Sequence, residues 1–221
     1  CIRDSNIIYT FKGSQDANGG ITVNYEAKLK GIEAKVDLAY TVNKDGSLTT
    51  MANYKALADD LPEMVRFGMI MTLPKQVDDF TWYGRGPWEN YIDRNHDTFM
   101  GIWNGKVEEQ AFAYYRPQET GNKTDVRWLT LKNKDGKGIK VTGVQPLSVS
   151  ATNNKPEDLD PGMTKKQQHA SDILPRNETV LCVDLFQRGV AGLNSWGASP
   201  LSPYRFFGKE YTYGYTISVI K

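Results

Sequence analysis

Three short segments of the sequence combine aromatic rings with the polar side chains that recognise sugars. They are residues 82–91 (WYGRGPWENY), 114–119 (YYRPQE) and 192–197 (GLNSWG). A sugar presents an apolar C–H face that stacks on an aromatic ring, and its hydroxyl groups bond to Asn, Glu, Arg or Gln side chains at the rim. The three segments therefore indicate contact with carbohydrate, although aromatic residues also fill protein cores.

The tryptophans divide into two groups by their local setting. Trp82 and Trp128 lie in predicted strands, where an indole most often packs in the core. Trp196 stands between Ser195 and Gly197 in a loop of small residues, where contact with a ligand is favoured. We therefore predict that Trp196 is the substrate-binding residue of this chain.

No pattern of acids or histidines predicts a catalytic centre in the chain. Glycoside hydrolysis needs two carboxyl groups about 5 to 10 Å apart, and the candidate acids lie in polar loops that no strand ends bring together. The candidate pairs are Glu89/Asp93, Glu108/Glu109 and Glu119/Asp125. His96 and His169 are the only histidines, and neither has the Ser/His/Asp spacing of a triad. We predict no catalytic residue here.

The composition excludes several classes of partner. The 221 residues include 27 Lys plus Arg and 26 Asp plus Glu, so the balanced charge gives no reason to bind nucleic acid or an anionic membrane. Apolar runs fall far short of the ~20 residues that span a bilayer. Of the two cysteines, Cys1 and Cys182, the second lies in an apolar run and is predicted to be buried. We predict no metal and no cofactor in this chain.

Alternation of apolar and polar residues dominates the chain, whereas helical periodicity is scarce. Asp-Gly turns at residues 43–46 and 133–136 supply the positive φ of tight hairpins. The predicted strands are residues 7–11, 21–29, 34–42, 48–54, 65–73, 79–83, 128–131, 139–144, 147–151, 179–186 and 211–220. Single helical turns are expected at 55–60 and 164–169, and a long loop at 152–168. The chain is therefore predicted to be an all-β sandwich or barrel, forming one domain over residues 1–221.

Three motifs, in order and spacing, resemble the C-terminal domain of family 2 β-galactosidases, which is also called the small-chain or fifth domain. Residues 83–91 (YGRGPWENY), followed by Asp93 and Arg94, resemble its hallmark. Residues 195–197 (SWG) resemble the loop that carries its sugar-stacking tryptophan. Its second signature is matched by Arg116, Pro117, Gln118, Glu119, Gly121, Asp125, Arg127 and Trp128. The resemblance covers essentially the whole chain, most strongly residues 80–221.

The resemblance implies an antiparallel supersandwich similar in fold to galactose mutarotases, packed beside a TIM barrel of the same polypeptide. The barrel would carry the two catalytic glutamates together with Mg²⁺ and Na⁺, and would hydrolyse terminal β-galactosides such as lactose with retention. Trp196 would stack on the aglycone sugar at the active-site rim. The whole enzyme is expected to be a homo-oligomer of the bacterial cytoplasm or periplasm.

The remaining motif residues are predicted to fix loops or to dock the domain. They are Arg85, Glu89, Arg116, Glu119 and Trp128. Arg and Glu side chains in neighbouring turns readily form bidentate pairs. Replacing Arg116 or Glu119 by Ala is therefore expected to lower the melting temperature.

Two departures from the family pattern bear on function. The βα alternation of a barrel is absent, so the chain alone is expected to be inactive. The Arg-Pro and Asp-Asn-Asp stretch with which the family's domain begins is not found before Ile7, so an N-terminally truncated domain is expected. Residues 191–194 (AGLN) also replace the usual Gly-Gly and acidic residues before Trp196. The alternatives are a free-standing carbohydrate-binding module and a mutarotase-like aldose epimerase, which needs a His/Glu acid–base arrangement.

Overall fold

The computed structural model describes residues 7–15, 20–29, 32–160, 168–190, 194 and 196–221, and for residues 7–9 and 11 the backbone alone. This part of the chain is built from antiparallel strands, so the predicted all-β class is confirmed. The strands are β1 (Ile7–Gln15), β2 (Ile21–Leu29), β3 (Ala34–Val42), β4 (Leu48–Ala56), β5 (Arg66–Pro74), β6 (Asp79–Gly86), β7 (Phe99–Lys106), β8 (Lys123–Lys132), β9 (Gly138–Thr152), β10 (Glu178–Gln187) and β11 (Glu210–Ile220). Within these ranges the helices are α1 (Pro156–Leu159) and 3-10 turns at Val107–Glu109, Ala170–Asp172 and Ser202–Tyr204. No described helix is long and apolar enough to cross a membrane.

The strands form a main sheet in the order β1-β2-β3-β4-β11-β9-β8-β6-β7, with β10 and β5 attached through β9. Strand β9 belongs to both layers: residues 138–143 pair with β11, whereas 148–152 pair with β10. The second layer faces the main sheet, because the Tyr215 hydroxyl of β11 donates to Met69 Sδ of β5 at 3.2 Å. Side chains of both layers therefore share one core.

The core is a cluster of buried aliphatic and aromatic side chains. It includes Val141, Leu147, Leu181 and Tyr213. Trp82 is buried as predicted, stacks on Phe80 with ring centroids 4.8 Å apart, and donates its indole N–H to the Arg85 carbonyl at 2.9 Å. Cys182 is also buried as predicted, and burial raises the pKa of its thiol to about 11. Burial of this apolar surface is the main force that holds the two layers together.

The structure departs from the predicted elements in several places. Residues 139–144 and 147–151 were predicted as two strands but form one, because residues 143–146 form a bulge opposite β8. Pro146 lies in this bulge, where its lack of an N–H breaks no hydrogen bond with β8. The helical turn at 55–60 is wrong, since Lys55 and Ala56 extend β4 and pair with Glu210 and Ala34. Strand β7 was not predicted. Of the turn expected at 164–169, only 168 and 169 are described, and they precede a 3-10 turn.

Candidate functional site

Trp196 lies on the connection between β10 and β11 with its side chain held out from the protein. The residue is 92% exposed. Its backbone N–H donates to Asn194 Oδ1 at 2.8 Å, and Gly197 follows with a φ of +83°, a conformation that favours glycine. The local turn thus presents the indole to its surroundings. Residues 191–193 and Ser195 lie outside the described residues, as does Cys1, so the departure at 191–194 stays a sequence prediction.

The start of this connection is fastened to the first motif. The Val190 N–H donates to Asp93 Oδ1 at 3.2 Å. Gly189 donates its N–H to the Tyr204 carbonyl at 3.0 Å, and a Cβ at this position would lie 2.5 Å from Asp93 Oδ2. Only glycine permits so close an approach. The structure therefore joins the segment before the third motif to Asp93, which follows the first motif.

A carboxylate that the sequence analysis missed clamps both ends of the Trp196 segment. Glu63 accepts hydrogen bonds from Arg188 Nη1 and from Arg205 Nε, each at 2.6 Å. The hydrogen bond from Arg205 is the main cause that lowers the pKa of Glu63. One acid thus joins the residues that precede and follow the loop. Two arginines flanking the tryptophan segment were the available signal that a counter-ion was needed.

Glu89 of the first motif is enclosed by four hydrogen-bond donors. Its Oε1 accepts from Arg94 Nη2 at 2.6 Å and from the Tyr114 hydroxyl, while Oε2 accepts from Thr120 Oγ1 at 2.9 Å and from the Gly121 N–H at 2.7 Å. Burial, and then the bond to Glu89, raise the pKa of the Tyr114 phenol. A carboxylate with every acceptor position in use ties loops together and has no free lone pair for acid–base chemistry.

Asn90, the next residue, makes a second buried connection. Its Oδ1 accepts from the Thr124 N–H at 2.8 Å and from the Thr124 hydroxyl at 2.6 Å, and its Nδ2 donates to the Trp88 carbonyl at 3.0 Å. The Asn122 side chain donates back to the Asn90 carbonyl at 2.8 Å. These bonds join the first motif to the beginning of β8.

Arg85, Glu89 and Glu119 each form an ion pair, although not with one another. Arg85 Nε donates to Asp125 Oδ2 at 2.7 Å, and Glu89 is paired with Arg94. Glu119 Oε2 lies 3.5 Å from Arg66 Nη1, and burial raises the pKa of this carboxyl. The Glu89–Arg94 pair lies within the first motif, and the Arg85–Asp125 pair joins the first motif to the second. The partner of Glu119 comes from strand β5, which is distant in sequence.

Arg116 and Trp128 occupy outer positions. Arg116 is exposed and makes no hydrogen bond or ion pair within the part of the chain that the structure describes. Trp128 is half-buried on the outer face of the sheet, with Tyr83 at 6.3 Å between ring centroids and Lys140 Nζ 5.5 Å from its ring centroid. Its expected core position is wrong, because the alternation of β8 turns Leu129 inward.

The histidines are dispersed. His96 is exposed, and the His169 ring meets Tyr115 edge-on at 5.2 Å between centroids. Across the described ranges, no three His, Cys, Asp or Glu side chains lie close enough to hold a metal ion. The arrangement as a whole is a polar scaffold that carries an exposed indole.

Comparisons with known proteins assign the chain to a family. It matches the model of the β-galactosidase small chain over residues 4–217. It is 32% identical to a β-galactosidase of Priestia megaterium over 198 residues, which are 89% of this chain and 19% of that protein. With a β-galactosidase of Halalkalibacterium halodurans it shares 33% identity over 167 residues, 74% of this chain and 16% of that protein. The chain thus spans less than one fifth of these relatives.

Two solved structures align with nearly the whole chain, and the first of them shares its fold. The GH36 α-galactosidase AgaB from Geobacillus stearothermophilus aligns with 97% of this chain and 28% of its own, at a TM-score of 0.52 and 13% identity. A GalM/aldose epimerase homologue from C. elegans aligns with 95% of this chain and 68% of its own, at a TM-score of 0.45 and 9% identity. Because the family match runs over nearly its whole length, this chain belongs to the β-galactosidase small-chain family.

Proposed function

We propose that this chain is the non-catalytic C-terminal domain of a β-galactosidase, and that Trp196 completes the rim of the active site by stacking on the aglycone sugar. The observation that carries the proposal is the 92% exposed indole on a connection fixed at both ends. Glu63 clamps the flanking arginines, and Asp93 holds Val190. A connection whose ends are already fixed loses less backbone freedom when a sugar binds to it.

The chemistry would come from a TIM barrel in the same polypeptide. The barrel would supply the two catalytic glutamates and hold Mg²⁺ and Na⁺, and the whole enzyme would hydrolyse terminal β-galactosides as a homo-oligomer. The chain matches the small-chain family, and every acceptor position of Glu89 is used in a hydrogen bond within the chain. Both observations support a non-catalytic role for this domain. Arg85, Glu89, Glu119 and Trp128 would then shape the loops and the docking surface.

The test replaces Trp196 in the full-length enzyme. Stacking contributes about 1 to 3 kcal/mol when most of the ring is desolvated, which is roughly 5- to 150-fold in affinity. Trp196→Ala should weaken glucose as an acceptor in transglycosylation by that factor, with a smaller effect on galactose inhibition, because the barrel grips the galactose. Trp196→Phe should recover part of the loss.

Trp88→Ala is the matched control, since Trp88 is also an exposed tryptophan, at 65%. It should leave acceptor affinity unchanged. Unchanged acceptor affinity in Trp196→Ala would show that this indole does not touch the substrate. The 221-residue chain alone should neither cleave a chromogenic β-galactoside nor accelerate mutarotation, and either activity would favour an enzyme in its own right.

A further inference from the structure

A cavity of about 870 Å³ opens between the second layer and the loops beside it. The volume falls in the range of about 300 to 1,000 Å³ that is usual for small-molecule sites. Its polar side is formed by Arg66, Glu119 and Gln187, and Ile70 lies on the same face of β5 as Arg66. Phe67 lines the cavity from the other face of β5, where it packs with Tyr54 against the aromatic side chains of the core. Trp196 does not line it.

The polar side contains an acceptor without a partner. Gln187 is 7% exposed, and its Oε1 is buried with no hydrogen bond to any described residue. Its side chain is hydrogen-bonded to Glu119. An unmatched buried acceptor destabilises the folded chain, and nearly all such groups in native proteins have a partner. An O–H or N–H donor from a molecule in the cavity would satisfy it.

The charges that line the cavity are balanced. Arg66 Nε donates to Asp184 Oδ2 at 2.8 Å, Arg94 pairs with Glu89 at 2.6 Å, and Arg188 pairs with Glu63 at 2.6 Å. Since each lining guanidinium already has a carboxylate, the cavity offers no surplus positive charge to a phosphate or carboxylate. A neutral molecule that both donates and accepts hydrogen bonds fits such a surface best.

The geometry points to a binding site for a neutral pyranose sugar in this cavity. A hydroxyl group donates to Gln187 Oε1 and another accepts from Arg66, because hydroxyls do both. The apolar C–H face lies against the aliphatic side chain of Ile70, which is on the same face of β5 as Arg66. This site goes beyond the proposed role of Trp196 and does not depend on it.

The experiment measures sugar binding to the 221-residue chain by calorimetry, with galactose and glucose as probes. A dissociation constant of order 1 mM is expected. Gln187→Leu should weaken binding at least tenfold. Ile70→Trp should do the same by filling the cavity from a position that is 48% exposed, so a folded variant remains if the buried substitution unfolds the chain. Val219→Trp, on an exposed strand position outside the cavity lining, is the control and should bind normally.

Further measurements distinguish the cavity site from the proposed role of Trp196. Trp196→Ala should leave sugar binding by the chain unchanged. If it abolishes binding while Ile70→Trp does not, the cavity site is refuted and the Trp196 proposal stands. Absence of binding at about 50 mM sugar, some fifty times the expected constant, also refutes the cavity site. Galacturonate binding tenfold more tightly than galactose would overturn the neutral class of ligand.

Discussion

Two buried polar clusters of this protein differ in whether all of their polar atoms have hydrogen-bond partners within the chain. Around Glu89 and Asn90, both carboxylate oxygens and both amide atoms have partners within the chain. Around the cavity, Gln187 Oε1 has no partner among the described residues, and burial raises the pKa of Asp184 to about 7 against the pull of Arg66. A closed network specifies structure, whereas an open one leaves groups for a ligand. The same fold thus uses buried polarity in two ways.

The largest effect is expected from opening the closed network at Asn90, which is fully buried. Asn90→Ala orphans the Thr124 N–H and hydroxyl together with the Trp88 carbonyl, so we expect a loss of about 3 to 5 kcal/mol in the free energy of unfolding. Urea denaturation measures this. Asn177→Ala, which removes an amide from an exposed position without a side-chain hydrogen bond to a described residue, should cost no more than about 0.5 kcal/mol. A loss below about 1 kcal/mol in Asn90→Ala would show that the hydrogen bonds around Asn90 do not stabilise the fold, contrary to the distinction drawn between the two clusters.

Lys123 adds a pH dependence to the closed network. Its side chain is 1% exposed, its Nζ lies 5.1 Å from the Trp82 ring centroid, and burial lowers its pKa from 10.5 to about 8. Between these two pH values the unfolded chain binds more protons, so the free energy of unfolding rises with pH, by up to about 3 kcal/mol. Relative to Lys123→Met, the unmodified protein should therefore gain stability from pH 8 to 10.5.

Denaturation curves of both proteins across this pH range give the measurement. Lys140→Met provides the control, because Lys140 also stands over a tryptophan ring but is exposed. Its free energy of unfolding should track the unmodified protein within about 0.5 kcal/mol. A parallel pH dependence in Lys123→Met would show that Lys123 is charged in both states.

The smallest effects are expected at the open cluster and at the surface. Since burial raises the pKa of Glu119, its ionised form disfavours folding above the pKa of the unfolded chain, and Glu119→Gln should leave stability unchanged or raise it by about 1 kcal/mol near neutral pH. Arg116→Ala should change stability by no more than about 0.5 kcal/mol, contrary to the sequence-based expectation. Thermal denaturation of both variants measures these changes in stability. A loss above about 2 kcal/mol in Glu119→Gln would show that the polar groups lining the cavity serve to stabilise the fold.

The strands were predictable wherever alternation and turn chemistry agree. Residues 21–29 and 34–42 were predicted with the observed bounds, because each alternates cleanly and an Asp-Gly turn follows the second. Strand β7 was missed because Gly101 and Gly105 interrupt its pattern. The strand forms through pairing with all eight residues of β6. Gly86 leaves room for the Trp103 indole, since a Cβ there would lie 2.6 Å from the ring.

The candidate site was predictable in its residues but not in its contacts. The exposed loop position of Trp196 followed from its small neighbours, whereas the role of Glu63 in holding that loop depends on arginines 125 and 142 positions away. Three of the four donors to Glu89 likewise come from residues 25 to 32 positions later. Spacing along the chain carries no information about such pairs, because loops and not periodic elements bring them together.

The sharing of β9 between both layers has a consequence for how the protein opens. Because β9 pairs with β11, β8 and β10, its separation would break both layers together, so amide hydrogens of β9 and β10 should exchange only through global unfolding. Among the described strands, β1 pairs with β2 alone, at the edge of the sheet. Its amides can exchange by fraying that leaves the core intact. Exchange protection should therefore increase from β1 towards β9, which makes the edge of the main sheet a separate unit of lower stability.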